Sequence, residues 1–443
     1  MCNKKTIVIA VLLAMLHVAG ITSATSAAVT PDGPPVSGDL DLAAALELAT
    51  AHNPALAAAG HRVEAADARV VQAGRWANPE LEFEIENFGG SNALEGFDAA
   101  ESTLLISQDL QIGGKIKRGR EVAESDFVLA MRERESLELE LRARTTSAFY
   151  SVLAGQERLD LKKELLSLAR SFADTVDARV EAGKVSPVEA TRARMEVASV
   201  RVQLIQATRE LEVARVRLSS TWGSASAAFR RAVGDLPRPG DRPGREELRG
   251  LLGNTPEMQV LDDRVLRAER VVAFENSLRV PDLTVAAGPR RFSETSDHAW
   301  VAGISLPLPI FDSNKGERRA AEFELEGAAR DRRSAGVEIE VGLTSVIERL
   351  DAAAEVATAL EAEVVPAASS AFEAVEIGYT EGKFGFLDVI DAQRTLFEAR
   401  SILLDSALEY ALAKVDLERM IGRGLDVIDN SAGDPPAETG ALR

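Results

Sequence analysis

The chain has 443 residues, enough for two or three domains or one extended architecture, and its 46% hydrophobic and 27% charged content excludes wholesale disorder. A formal net charge of −19 argues against a nucleic-acid partner, which needs clustered Lys and Arg, and suits cations or plain solubility. With a single cysteine, Cys2, there is no disulfide framework to find.

The first residues have the pattern of an export signal. Lys4 and Lys5 precede an apolar run from Ile7 to Val18, and Ser23 to Ala28 supply small residues for cleavage. A signal peptide over 1–28 is predicted, cut near Ala27 or Ala28. Its loss takes Cys2 with it, which speaks against a lipid anchor, and shifts the charge to −21. No later stretch offers 18 consecutive apolar residues, so spanning helices are excluded and spanning strands are not.

Beyond the signal, a short helix over about 41–51 ends at Asn53-Pro54, where Asn caps and Pro opens a second helix reaching about 77. Strands are predicted at 80–88 and 102–112, joined by a Gly- and Asn-containing loop. A proline-free helix follows over 115–182, broken at GKVSP, and a return helix runs from Pro187 to about Trp222. Residues 223–245 form a Pro- and Gly-rich linker. The pattern then repeats: helix 256–279, strands 282–288 and 298–306, helix 316–381, a break at GKFG, helix 386–421 and a tail over 423–443.

The repetition extends to landmarks. Asn53-Pro54 is echoed by Thr255-Pro256 and Pro79-Glu-Leu by Pro281-Asp-Leu, each 202 residues later, and Glu181-Ala-Gly183-Lys184 by Thr380-Glu-Gly382-Lys383 at 199. Such constant offsets predict a tandem duplication of two repeats, 39–222 and 246–422. Each long helix would be roughly 100 Å at 1.5 Å per residue, lying beside two shorter ones of nearly matching total length. Helices that long belong to a coiled-coil tube rather than a globular core.

The strands are amphipathic with period two. In NPELEFEIENFGG, Leu81, Phe83 and Ile85 point one way, and Glu80, Glu82, Glu84 and Glu86 the other. Leu104, Ile106, Leu110 and Ile112 oppose Thr103, Ser107 and Asp109. Leu283 and Val285 oppose Thr284, while Trp300 and Ile304 oppose Gly303 and Ser305. Trp76, Phe88, Phe292 and Phe311 stand at strand ends, where interfacial aromatics belong. All four strands approach bilayer-crossing length, yet a membrane sheet must close and four strands are too few. Copies must pool them. Two chains give a plugged eight-stranded barrel; three give twelve strands and room for a pore.

The chain resembles the TolC-type outer-membrane efflux proteins over essentially its whole length after the signal. GYTEGKFGFLDVIDAQ (378–393) looks like that family's periplasmic tip, with its Asp-x-x-Asp pair. ELEFEIENFGG and STLLISQDLQIGGKIKRGREVAE are similar to the branch serving cobalt, zinc, cadmium, copper or silver exporters. The resemblance implies a mainly α fold with membrane β: a homotrimer whose twelve-stranded β-barrel, set in outer-membrane lipid, stands on a twelve-helix α-barrel holding most of the mass in the periplasm. It implies a passive exit duct for heavy-metal cations, docked by a periplasmic adaptor and a proton-driven inner-membrane pump. Asp388 and Asp391 match the aspartates of the closed constriction, Tyr379 a tyrosine that tethers the closed state, and Glu189 an acidic partner. Gly183, Lys184, Gly382 and Lys383 form the tip turns for adaptor docking. Phe384 departs from the pattern, standing where a basic tether is expected. Independently of the resemblance, Asp388 and Asp391 are three apart and share a helix face, and copies placed around one opening would repel anions. Glu80, Glu82, Glu84 and Glu86 are the expected barrel lumen.

Enzyme chemistry has no candidate. GGKIKRG lacks phosphate-loop spacing, and His52, His61 and His298 form no metal motif, so neither cofactor nor metal site is expected. The alternatives are a periplasmic adaptor, a structural coiled coil, or a duct for organic drugs rather than metals.

Overall fold

The computed structural model describes residues 34, 36–240 and 244–425; the signal segment and the tail beyond 425 lie outside them. Local side-chain chemistry sets where each helix begins. Asp41 accepts from Ala44 N (2.8 Å) and starts α1 (Leu42–His52). Asn53 caps α2 (Pro54–Ala73), its Oδ1 accepting from Ala55 N and Leu56 N, while its Nδ2 donates to Thr221 O at 2.8 Å. One buried amide thus starts a helix and ties it to a segment 168 residues away.

Two strands follow, β2 (Glu80–Glu86) and β3 (Glu101–Leu110), and then α3 (Lys115–Glu181), whose 67 residues make a rod of roughly 100 Å. It packs along α2 and the return helix α4 (Pro187–Ser220), capped by Ser186. The stretch 223–245 is not bare linker. Arg231–Ala232 forms β4, parallel to β1 (Asp39–Leu40), and both seal a core of Phe149, Val152, Leu218, Trp222 and Phe229. Gln156 clasps β4 from α3, with Oε1 accepting from Ala232 N and Nε2 donating to Ala232 O, both at 2.9 Å. Two backbone groups facing away from any long ladder are thereby satisfied.

After α5 (Arg245–Leu251), the order recurs: α6 (Pro256–Ser277), capped by Thr255, β5 (Leu283–Phe292) and β6 (His298–Ser305). The expected continuous helix over 316–381 is instead α7 (Lys315–Ala359), a π segment at Leu360–Val364, and α8 (Val365–Thr380). Pro366 explains the slip: its ring has no N–H for the carbonyl of Ala362 and would clash with it, and a wider turn moves that carbonyl aside. The last helix, α9 (Phe386–Ile421), packs along α3 and α7.

The four longer strands make one antiparallel sheet in the order β2-β3-β5-β6. The strand pairs of the two halves are therefore neighbours, and β2 and β6 are its edges. Pairing lapses opposite Leu104 and Leu105, where Pro289 has no N–H to give and Gly288 lies so close that a Cβ there would sit 1.8 Å from Leu104 O.

Candidate functional site

Register decides which face each strand residue takes. Glu80 lies opposite Ser107, Glu84 opposite Thr103 and Glu86 opposite Glu101; Thr103 in turn faces Arg290, and Ser107 faces Ala286. Because directly paired residues share a face, Glu80, Glu82, Glu84, Glu86, Glu101 and Asp109 lie together on one side of the sheet. Leu81, Phe83, Ile85, Leu104, Ile106, Val285, Trp300 and Ile304 lie together on the other, all exposed to solvent in the single chain. Periodicity alone polarised each strand; pairing adds that all four are polarised the same way. Phe292 differs from expectation, since opposite Glu101 it belongs to the carboxylate face.

At the far end of the helices, two tight turns sit side by side. Gly183 (φ +67°) and Gly382 (φ +79°) take left-handed conformations open to glycine, and the following amides of Lys184 and Lys383 return to Arg179 O (2.9 Å) and Gly378 O (2.7 Å). The same helix stop is thus built twice. The turns are joined by an apolar cluster of Ala173, Val176, Ala190, Ala193, Tyr379, Phe386, Val389 and Ile390, which spans both hairpins.

Tyr379 is the centre of this cluster, 2% exposed, with its ring 4.9 Å from that of Phe172. Arg179, at the end of α3, lies over the Tyr379 ring (4.3 Å to the centroid) and donates to the Tyr379 carbonyl at 2.6 Å. Burial pushes the Tyr379 phenol above its ordinary value; Arg179 opposes that shift and Glu189 adds to it. The Tyr379 hydroxyl and Glu189 Oε2 are both buried without a hydrogen-bond partner. Gln393 Nε2 is also without one, beside a cavity of about 60 Å³ lined by Phe172, Phe372, Tyr379 and Val389.

The expected tip residues therefore separate. Glu189 lies near enough to the buried Tyr379 to act on its phenol, whereas Asp388 and Asp391 stand exposed on α9. Asp388 has a local task, its Oδ2 accepting from Gly385 N at 2.8 Å to cap that helix. Lys383 pairs with Glu381 at 2.5 Å within its own turn. Phe384 packs against Gly378, where a Cβ would meet its ring at 2.3 Å, so it stays within its own hairpin. Arg179 is one cation that bridges the hairpins at the tip; Arg394, paired with Glu196 at 2.5 Å, and Arg400, paired with Glu164 at 3.0 Å, bridge them further along, and sequence reasoning missed all three. The only local signal of Arg179 is a basic residue in the last turn of a helix, common at any helix end.

Among the described residues, no group of His, Cys, Asp and Glu is arranged to hold a metal, and no helix is long and apolar enough to cross a membrane.

Comparison with known proteins gives a consistent picture. The chain is 34% identical over 387 residues to the cobalt-zinc-cadmium resistance protein CzcC of Cupriavidus metallidurans, covering 87% of this chain and 91% of that one. It is 27% identical to the nickel and cobalt resistance protein CnrC of the same organism, covering 71% and 73%. Among solved structures, CusC superposes with a TM-score of 0.74 at 17% identity, covering 86% of this chain and 92% of that one. VceC from Vibrio cholerae gives 0.72 at 20% identity, covering 87% and 96%. The fold is therefore that of these channels, and the outer membrane efflux protein model matches residues 45–224 and 248–423. With both halves matched, the chain belongs to the outer membrane efflux protein family, whose members are conduits rather than enzymes.

Proposed function

We propose that three copies of this chain pool their sheets into a twelve-stranded barrel in the outer membrane, above a helical tunnel in the periplasm, and that the duct conducts heavy-metal cations outward. The carrying observation is the shared register, which gathers six carboxylates on one face and most of the large apolar side chains on the other, in a sheet with two open edges. Hydrocarbon tolerates no unpaired edge, so β6 of one copy is to pair with β2 of the next. Three copies leave a water-filled lumen where two would not. The recurrence of helix, strand pair and helical hairpin supports an origin by tandem duplication of 39–222 and 246–422.

At the periplasmic end, Asp388 and Asp391 are to line the constriction, and the turns at Gly183-Lys184 and Gly382-Lys383 are to meet an adaptor that couples the duct to a proton-driven pump. Tyr379 and Glu189 hold the closed tip together with Arg179. The metal cargo rests on the cobalt-zinc-cadmium and nickel-cobalt resistance relatives and on the acidic wall, which favours cations.

Deleting the gene and screening growth across metal salts and organic drugs tests the cargo. Sensitivity to cobalt, zinc or cadmium is expected. Sensitivity to organic drugs alone would reassign the duct to drug export.

A further inference from the structure

Within the four strands, the carboxylate face carries one basic side chain, Arg290 of β5. Its guanidinium reaches across the sheet, donating to Thr103 Oγ1 (2.9 Å) and Glu101 Oε2 (3.0 Å) on β3 and pairing with Glu86 Oε2 (3.1 Å) on β2. Thr103 is buried beneath it, and Glu101 Oε1 accepts from Asn87 Nδ2 at 3.0 Å. All these groups lie at the end of the sheet bearing the strand-connecting loops, away from the helices. Toward the helices the same face is different: Glu80, Glu82, Glu84 and Asp109 are exposed, and among the described residues no cation is paired with them.

The wall is thus graded. Four carboxylates come first, Asp109 with Glu80, Glu82 and Glu84, then two that share one guanidinium. We propose that Arg290 sets the ion selectivity of the duct at its outer mouth, lowering the hold on cations where they leave. This rests on the reading of the carboxylate face as the lumen. Conduction needs binding strong enough to draw an ion in and weak enough to release it. A mouth as negative as the inner wall would retain divalent cations; partial neutralisation by Arg290 lets them go.

The test is the reversal potential of the purified protein in planar bilayers under a KCl gradient, which reports the K⁺/Cl⁻ permeability ratio. It is run with Asp388→Ala and Asp391→Ala present, so that tip carboxylates do not set the ratio. Arg290→Gln should raise the cation preference about twofold or more, and Arg290→Lys should bring it back. Glu82→Gln with Glu84→Gln should lower it. If that pair lowers it while Arg290→Gln changes nothing, Arg290 only staples strands: the inference falls and the duct reading stands. If neither moves it, the carboxylate face is off the ion path and both fall. Should Arg290→Gln fail to assemble, Glu86→Gln with Glu101→Gln exposes the unmatched guanidinium and must lower the cation preference; no change overturns the inference.

Discussion

At Tyr379 the ring and the carbonyl are engaged and the hydroxyl is not. Arg179 holds the first two, through a cation–π contact of about 0.5–2 kcal/mol and a charged hydrogen bond of about 1.5–3 kcal/mol. The buried hydroxyl without a partner carries a desolvation penalty of about 1–3 kcal/mol. Two substitutions should therefore diverge. Arg179→Ala loosens the link between the hairpins and raises single-channel conductance in bilayers. Tyr379→Phe leaves conductance unchanged and raises thermal stability slightly; a conductance rise for Tyr379→Phe would show instead that the hydroxyl is the tether. The pH sense follows from the raised phenol: its neutral form is favoured in the folded chain, so its contribution is complete below the ordinary value of about 10 and lost as pH climbs through the raised one. Titrating conductance from pH 6 to 9 should show no step from Tyr379. That Tyr379 and Glu189 stand near the hairpin tips could be read because each lies in a helix end beside a recognisable break, GKFG or GKVSP. Arg179 was not legible, because a last-turn arginine looks the same whether it caps its own helix or crosses to another.

Elements with a strong local signature were read well. The strands announce themselves by alternation, although the expected β5 stops at 288, four residues short of Phe292, because Gly288 and Pro289 break the pattern there, and the helix starts by Asn53-Pro54, Ser186-Pro187 and Thr255-Pro256. Those that depend on distant partners were not. A two-residue strand such as Arg231–Ala232 has no period to detect, and it exists because Leu40 and Gln156 meet it. The π segment was hidden because Leu360–Val364 consists of ordinary helix formers and only Pro366 disturbs them. Gln156→Leu should leave both backbone groups of Ala232 unsatisfied, each at about 1–3 kcal/mol, lowering the melting temperature and opening the 225–240 stretch to protease. Gly288→Ala should stop β5 from pairing with β3, since no flexible side chain but the Leu104 carbonyl blocks the new methyl. Heat-modifiable migration on gels, expected for the parent oligomer, should disappear in that variant.

For the whole molecule, what sequence periodicity could not supply was the order β2-β3-β5-β6, because pairing between halves depends on how the helices bring them together. On the proposed reading, three copies set six aspartate carboxylates, from Asp388 and Asp391, around one opening. Replacing both with alanine should raise conductance and reduce cation preference, measured as single-channel currents; unchanged currents would place both residues outside the constriction. Asp388→Ala also removes the cap on Gly385, so the Asp388→Asn variant separates charge from capping.

The bare flanks β2 and β6 also bear on how such a protein is made. On the proposed reading, a freshly exported chain can close its buried helical cores within one copy, leaving residues such as Met195, Val202, Val337 and Val341 exposed on the helices for neighbours to cover. Its sheet cannot be left in the same state: it offers a greasy face to any passing surface and a row of unanswered amides on each side. On the same reading, biogenesis runs from helices to strands, with the sheet shielded by an escort until sister chains and lipid arrive together.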